Sequence, residues 1–321
     1  MSAAKARAAA KVTTAAAKRT AVAGKAPTTG VPLSNPDKVL YPAAGFTKTD
    51  VRNYYLGIAP VLLPHMEGRP LTLKRYPNGV DGPFFYEKRC PSHKPDWVKT
   101  TDVWSERNQE NINYCVANDA ATLAWLANLA CLEIHPLLFK ARKPDRPTSM
   151  VFDFDPGEPA TLLDCLRLGL RMREVLSHFG LECFPKSSGG KGLHLWVPLN
   201  TPVTFEQTKQ FSRAVAQLFE KQNPGQVTSN MRKDLRHGKI FVDWSQNDEH
   251  KTTVCAYSLR ARSQPTVSTP LTWTEVEAAV KAEDPARLVF TADQVLARVK
   301  KKGDLFEPVL KLKQRLPKFT G

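Results

Sequence analysis

Met150-Val-Phe-Asp153-Phe-Asp155-Pro-Gly157 is a stretch in which apolar and acidic residues alternate with a period of two. This alternation predicts a β-strand over residues 149–155, with both aspartates on one face and the phenylalanines packed on the other. Two carboxylates this close repel each other unless a cation or a proton lies between them. The pattern indicates a site for Mg²⁺ or Mn²⁺, which prefer oxygen ligands. The alternative is an aspartate pair that caps the turn before Pro156 and Gly157.

Asp243 is the candidate for a third metal-binding carboxylate. It closes the apolar segment Ile240-Phe-Val-Asp243, much as the first pair closes its own strand. Two-metal phosphoryl transfer needs such a residue, because the ions lie about 4 Å apart and share ligands. We therefore predict that Asp153, Asp155 and Asp243 hold two divalent ions at neighbouring strand ends.

A glycine-rich segment, Pro185-Lys-Ser-Ser-Gly-Gly-Lys-Gly-Leu-His194, leads into a predicted strand. Gly189 and Gly190 allow backbone N–H groups to approach an anion, and Lys191 adds a positive charge suited to a triphosphate. Ser188 can donate its hydroxyl, and His194 lies within reach of the same phosphates. The spacing is not that of a P-loop. A Gly-Gly turn with a solvated lysine is the alternative interpretation.

Three segments interleave positive charge with aromatic rings or flexible loop: residues 74–76, 84–89 and 232–239. Basic groups bind backbone phosphates and rings stack on unpaired bases, so the segments are typical of nucleic-acid binding. A solvated face with core aromatics would give the same pattern.

The chain of 321 residues has a net charge of +15, which favours a polyanionic partner such as nucleic acid. Residues 1–26 carry six basic residues, no acidic residue and twelve alanines, so +9 remains for the rest. We predict a disordered basic tail over residues 1–30, either a DNA-binding tail or an organellar transit peptide, and one folded domain over residues 31–317.

Six cysteines without a CxxC pair argue against a zinc ribbon and a disulfide framework, and for a reducing compartment. Cys90 and His93 could form half of a zinc site, but no second half is visible. No run of 18 apolar residues exists, so we expect no membrane span and a cytoplasmic location.

The predicted elements mix strands and helices without a strict βαβα rhythm. This indicates an α+β fold with two packed subdomains and mainly antiparallel sheets flanked by helices. Helix starts are predicted at Thr47, Thr161 and Thr204, and a helix after Asn118 is expected to end before Pro136. Further strands are predicted within residues 70–76, 189–198, 239–243 and 254–260.

Six ordered blocks together resemble the polymerase domain of bacterial ligase D, a relative of the archaeo-eukaryotic primases that is used in non-homologous end joining. The blocks are Leu33-Ser-Asn-Pro-Asp-Lys-Val-Leu-Tyr-Pro42, Leu132-Glu-Ile-His-Pro136, Asp153-Phe-Asp155-Pro-Gly, Ser188-Gly-Gly-Lys-Gly-Leu-His194, Phe241-Val-Asp-Trp-Ser-Gln-Asn247 and Tyr257-Ser-Leu-Arg260. The likeness runs from about Leu33 to Pro317 and implies a primase-polymerase fold.

By matching position, the resemblance implies that Asp153, Asp155 and Asp243 bind the metal ions. It places a further set around the incoming NTP or dNTP: His135, Ser188, Lys191, His194 and Arg260. On the DNA side it implies that Asn35, Lys38 and Lys48 form a pocket for a downstream 5′-phosphate and that Lys74 and Arg75 contact the template. It also implies that Phe85 and Tyr86 stack at the DNA end and that Arg236 lies in a loop near the primer end. Tyr86 stands where the family has phenylalanine, which weakens the stacking assignment.

The resemblance implies a DNA-dependent nucleotidyltransferase that extends primers and fills short gaps at DNA breaks. Family members prefer ribonucleotides and often work best with Mn²⁺. The chain has no KxDG ligase motif, so we expect a free-standing bacterial polymerase associated with the nucleoid, a separate DNA ligase and, as a further partner, Ku. A metal-dependent nuclease and a non-catalytic DNA-end-binding module are the alternative functions.

Overall fold

The structure is a computed structural model that describes residues 30–106 and 108–317. The predicted basic tail therefore lies, apart from Gly30, outside the described residues. Among the helices that are described, none combines the length and the apolar character needed to cross a lipid bilayer.

The strands are β1 (Val39–Tyr41), β2 (Phe46–Thr47), β3 (Leu71–Arg75), β4 (Phe85–Glu87), β5 (Lys99–Ser105), β6 (Glu110–Val116), β7 (Cys131–Pro136), β8 (Ser149–Pro156), β9 (Phe184–Ser187), β10 (Leu193–Pro198), β11 (Val227–Thr228) and β12 (Ile240–Asp243). The helices are α1 (Lys48–Met66), α2 (Ala120–Asn128), α3 (Leu162–His178), α4 (Phe205–Gln222), α5 (Trp273–Lys281), α6 (Ala292–Lys302) and α7 (Glu307–Lys311).

One sheet has the strand order β11-β12-β8-β10-β9 and is antiparallel except for the pairing of β11 with β12. Its central strand β8 turns Phe152 and Phe154 towards α3 and α4, where both rings are fully buried. Val151 points the other way and joins the second hydrophobic core, so the face with the aspartates looks towards the second sheet.

The second sheet contains β4, β3, β6 and β5, with β7 paired to β3, and α1 and α2 pack in its core. Capping boxes start α1 at Thr47, α3 at Thr161 and α4 at Thr204, as their sequences predict. The α+β class with two packed, mainly antiparallel sheets is confirmed.

Three secondary-structure predictions were wrong in part. The second helix ends at Asn128, because Ala130 takes a left-handed backbone (φ +53°), and residues 131–136 form β7 instead. Residues 254–260 form no strand, since Tyr257 is also left-handed (φ +66°) and they contribute a single bridge from Leu259 to Val267. Helix α1 continues past Pro64 to Met66.

The cysteine spacing argues against a disulfide framework, yet one disulfide bond is present among the described residues. Cys90 and Cys115 are joined, with Cα atoms 4.9 Å apart. The Cys90 N–H donates to the Asn113 carbonyl at 2.7 Å, which holds this loop against β6. The two cysteines are 25 residues apart, so no local sequence pattern indicates that they are paired. Cys90 is thereby removed as a zinc ligand, and the other four cysteines are free and buried.

Asn247 should be the polar residue on which β8 depends most. It is fully buried, accepts from the Val151 N–H and donates to the Val151 carbonyl, both at 2.7 Å, so it extends the ladder past the end of β12. Asn247→Ala leaves both groups unpaired and should cost about 2–4 kcal/mol of unfolding free energy in urea titrations. Asn53→Ala, an exposed change on α1, should cost less than about 0.5 kcal/mol. Equal losses in the two variants would contradict this role.

Candidate active site

Three acidic residues meet on the face of the first sheet that looks towards the second. Asp153 and Asp155 alternate along β8, and Asp243 is paired directly opposite Asp153 across the antiparallel β8–β12 ladder. Directly paired residues have Cα atoms about 4.5–5.5 Å apart. The backbone therefore brings the three residues close enough to share two ions about 4 Å apart.

The aspartates of β8 occupy an unfavourable electrostatic environment. Burial, followed by the charge of Asp243, raises the pKa of Asp153 from its usual 3.8 to about 7. The charge of Asp153, followed by burial, raises the pKa of Asp155 to about 7. Asp153 Oδ1 lies 3.1 Å from His194 Nε2, but the contact lacks hydrogen-bond geometry, and this buried oxygen has no hydrogen-bond partner among the described residues. A bound cation would offset the repulsion between the carboxylates and would give the buried Asp153 oxygen a partner.

Asp243 directs its oxygens into its own turn. Oδ1 accepts from Ser245 N at 2.9 Å and Ser245 Oγ at 2.6 Å, and Oδ2 accepts from Gln246 Nε2 at 3.2 Å. Among the described residues, no three His, Cys, Asp or Glu side chains already surround a common point as metal ligands do. The chemistry of three neighbouring carboxylates, one of which has a buried oxygen without a hydrogen-bond partner among the described residues, nevertheless fits Mg²⁺ or Mn²⁺.

The aspartates of β8 open into a cavity of about 640 Å³ between the two sheets. Nine residues predicted from the sequence line it: Tyr86, His135, Asp153, Asp155, Ser188, Lys191, His194, Arg236 and Arg260. Seven others do not: Asn35, Lys38, Lys48, Lys74, Arg75, Phe85 and Asp243.

The glycine-rich loop folds tightly beside the carboxylates. Ser188 Oγ accepts from the N–H groups of Gly190 and Gly192, at 3.2 and 3.1 Å. Of the two glycines predicted to offer N–H groups to an anion, Gly190 is therefore already bonded, while the Ser188 hydroxyl proton has no acceptor among the described residues. Gly192 is required because a Cβ there would lie 2.3 Å from the Phe154 carbonyl oxygen. Lys191 is exposed and paired with Glu158 at 2.5 Å.

Glu133 on β7 organises the cationic wall of the cavity, although no role was predicted for it. It is 1% exposed, its Oε2 lies 2.9 Å from His135 Nε2 and 3.3 Å from Arg260 Nε, and its Oε1 lies 3.6 Å from Lys74. Burial acts to raise the pKa of Glu133, but the His135 hydrogen bond and the charge of Arg260 outweigh it and hold the pKa below its usual range.

The β3–β4 hairpin places neighbouring residues that we predicted to act together on opposite faces. Lys74 pairs with Tyr86 on the face towards the cavity, with its ammonium 4.2 Å from the centre of the Phe84 ring. Arg75 pairs with Phe85 on the opposite face and lies 5.1 Å from that ring. The rings of Phe85 and Tyr86 are 43% and 57% exposed, which leaves both open to a ligand.

A second cationic group lies at the start of the described chain. Burial, followed by the charges of Lys38 and Arg75, lowers the pKa of Lys48, which shows that the three cations are close. Lys48 Nζ donates to the Ser34 carbonyl at 2.8 Å, beside Asn35. This group lies apart from the cavity lining.

Arg236 reaches the cavity from the loop before β12. Its guanidinium lies 3.7 Å from the centre of the Phe241 ring. A Cβ on Gly157 would lie 1.9 Å from the Arg236 carbonyl oxygen, so glycine is needed for this loop to close on the end of β8.

Other residues of the cavity lining had no predicted role, and those with side chains suited to binding phosphate include Lys88, Gln246, Lys251 and Arg262. Lys88 and Gln246 lie inside quoted sequence segments, and Arg262 is two residues beyond Arg260. Lys251 lies in no quoted segment, so nothing in the sequence singled it out.

The family described as LigD, primase-polymerase domain, matches residues 47–306 of this chain. The multifunctional non-homologous end joining DNA repair protein LigD of Mycobacterium tuberculosis (strain ATCC 25618 / H37Rv) is 42% identical over 292 residues, 88% of this chain and 37% of that protein. The bifunctional non-homologous end joining protein LigD of Bacillus subtilis (strain 168) is 34% identical over 268 residues, 83% of this chain and 42% of that protein. The chain thus spans less than half the length of either relative.

A solved structure of the polymerase domain from Mycobacterium tuberculosis ligase D in complex with DNA matches with a TM-score of 0.80 and 42% identity. The match covers 88% of this chain and 98% of that one. The resemblance drawn from six sequence blocks is thereby confirmed. This chain belongs to the LigD primase-polymerase domain family, whose members are nucleotidyltransferases.

Proposed function

We propose that this protein extends DNA primers and fills short gaps at DNA breaks during non-homologous end joining, by two-metal nucleotidyl transfer. The observation that carries the proposal is the placement of Asp243 opposite Asp153, with Asp155 beside it, at the edge of a cavity walled by cations. The end-joining names of the relatives support the setting in DNA repair.

Asp153, Asp155 and Asp243 would hold two Mg²⁺ or Mn²⁺ ions. When bound, such ions lower the pKa of a primer 3′-hydroxyl and neutralise charge on the triphosphate. The chain itself supplies cations and donors for the phosphates: Lys191, His194 and Arg260, together with the free hydroxyl proton of Ser188. His135 borders the same space and would contact the nucleotide. Ribonucleotide preference and Mn²⁺ dependence are proposed from the family alone.

The remaining predicted residues would bind the DNA. Lys74 and Tyr86, on the cavity face of the hairpin, suit a template strand and an unpaired base. Arg236 would lie near the primer end. Asn35, Lys38 and Lys48 would bind a downstream 5′-phosphate, with Arg75 and Phe85 facing the same side. A relative solved in complex with DNA supports this assignment of partner.

Removing the β8 carboxylates should abolish nucleotide addition. Asp153→Ala and Asp155→Ala should each lower primer extension on a gapped duplex at least about 100-fold, because charge developing at the reacting phosphate is no longer stabilised. DNA binding should persist, and Asp102→Ala, an exposed change on β5, should leave extension unchanged.

The same substrate with Mn²⁺ and no nucleotide tests the nuclease alternative. Shortening of the primer by the unmodified protein, or full extension by the Asp153→Ala, Asp155→Ala double variant, would overturn the proposed reaction.

A downstream 5′-phosphate should stimulate extension through the second cationic group. Lys38→Ala should lower the ratio of activity on 5′-phosphate over 5′-hydroxyl gaps by about three- to tenfold, since one charge-assisted contact is lost. Lys38 is exposed, so folding should be unaffected. Lys281→Ala on α5 removes the same charge elsewhere and should keep the ratio of the parent protein; a fall in both variants alike would refute a specific pocket.

The raised pKa of Asp153 should make the metal-free protein lose stability with rising pH. Because the folded pKa of about 7 exceeds the usual 3.8, the folded state binds the proton more tightly, and stability falls between about pH 4 and 7. In EDTA at pH 8, Asp153→Asn should therefore be more stable than the parent by about 1–3 kcal/mol, with a smaller difference at pH 5. Urea unfolding measures this.

Added Mn²⁺ supplies the matching control for that titration. It should stabilise the parent protein and leave Asp153→Asn nearly unchanged. Parent and variant of equal stability at pH 8 in EDTA would show that no uncompensated charge is buried at this position.

A further inference from the structure

Lys186 on β9 is fully buried, although lysine is among the residue types least often found in protein interiors. None of the proposed steps uses it. It is paired across the ladder with His194, which is paired in turn with Asp153. Lys186, His194, Asp153 and Asp243 therefore form a continuous row across four neighbouring strands.

In its protonated form the Lys186 side chain has three N–H donors and no acceptor, and three neighbouring atoms are placed to accept from it. Nζ lies 3.3 Å from the Val254 carbonyl and 2.5 Å from Ser268 Oγ. Ser268 Oγ sends its own proton to the Ser187 carbonyl at 3.2 Å, so it accepts from the lysine. The third neighbour is His194 Nδ1, at 3.2 Å.

This arrangement leaves one role for each nitrogen of a neutral His194. If Nδ1 accepts from Lys186, the imidazole proton must reside on Nε2. Nε2 is the nitrogen that lies 3.1 Å from Asp153 Oδ1, and both residues line the cavity. The ring therefore presents a hydrogen-bond donor to that space.

We propose that Lys186 is a positioning residue that fixes the Nε2–H tautomer of His194 and so aims a donor at the reacting nucleotide. The tautomer follows from contacts within the chain, whereas its use rests on the proposed polymerase function. Partners of this kind, bonded behind a functional histidine, typically change activity about 10- to 100-fold when removed.

The tautomer can be read directly from the intact protein by NMR of ¹⁵N-labelled histidine, with His194 identified by its loss in His194→Gln. The signals should show a protonated Nε2 and an unprotonated Nδ1. In Lys186→Met, which keeps the apolar stem and removes the donor, the Nδ1–H form should appear. Ser268→Ala is the matched control: it takes another partner from the lysine but leaves the histidine contact, so the tautomer should stay as in the parent.

Kinetics then tests the consequence. Lys186→Met should lower kcat for nucleotide addition about 10- to 100-fold with a smaller change in KM, and should add little to the loss already caused by His194→Gln. An Nδ1–H or doubly protonated His194 in the parent protein, an unchanged tautomer in Lys186→Met, or additive losses in the double variant would overturn the proposal. Because NMR needs no turnover, failure of the polymerase assay alone would count against the function and not against the tautomer.

Discussion

Repulsion between Asp153 and Asp243, held face to face on adjacent strands, is the constraint around which the first sheet is built. Like charges directly opposite each other in a ladder are destabilising. The sheet holds them together by burying Phe152 and Phe154 behind β8 and by extending the ladder with Asn247. Folding energy from the core thus maintains a cluster of carboxylates that a divalent cation would stabilise.

The other wall of the cavity brings positive charges together around one buried carboxylate. The cations Lys74 and Arg260 come from separate parts of the chain, and the carboxylate of buried Glu133 holds both of them, together with the His135 ring. A cation fixed in this way does not have to be ordered when a phosphate arrives, which lowers the entropic cost of binding. The site therefore combines carboxylates that repel each other with cations anchored by an internal anion.

Local patterns in the sequence were sufficient for β8, because period-two alternation and the following Pro-Gly are properties of adjacent residues. They did not distinguish the end of α2 from β7, since leucines at 126, 129 and 132 fit a helix and the change of direction at Ala130 is a backbone property. The sequence identified Asp243 as a candidate ligand but did not predict that it lies opposite Asp153, because strand register is set by tertiary contacts. Glu133 and Lys186 lay inside quoted segments, yet their roles depend on partners distant in sequence.

The β3–β4 hairpin carries Lys74 and Tyr86 on one side and Arg75 and Phe85 on the other. The first side faces the cavity, whereas Arg75 on the second side is close enough to lower the pKa of Lys48 in the other cationic group. A duplex that reached both places would have to part at this ridge, with one strand passing on each side. Under the proposed function, the hairpin would act as a wedge between the template base to be copied and the strand that continues downstream.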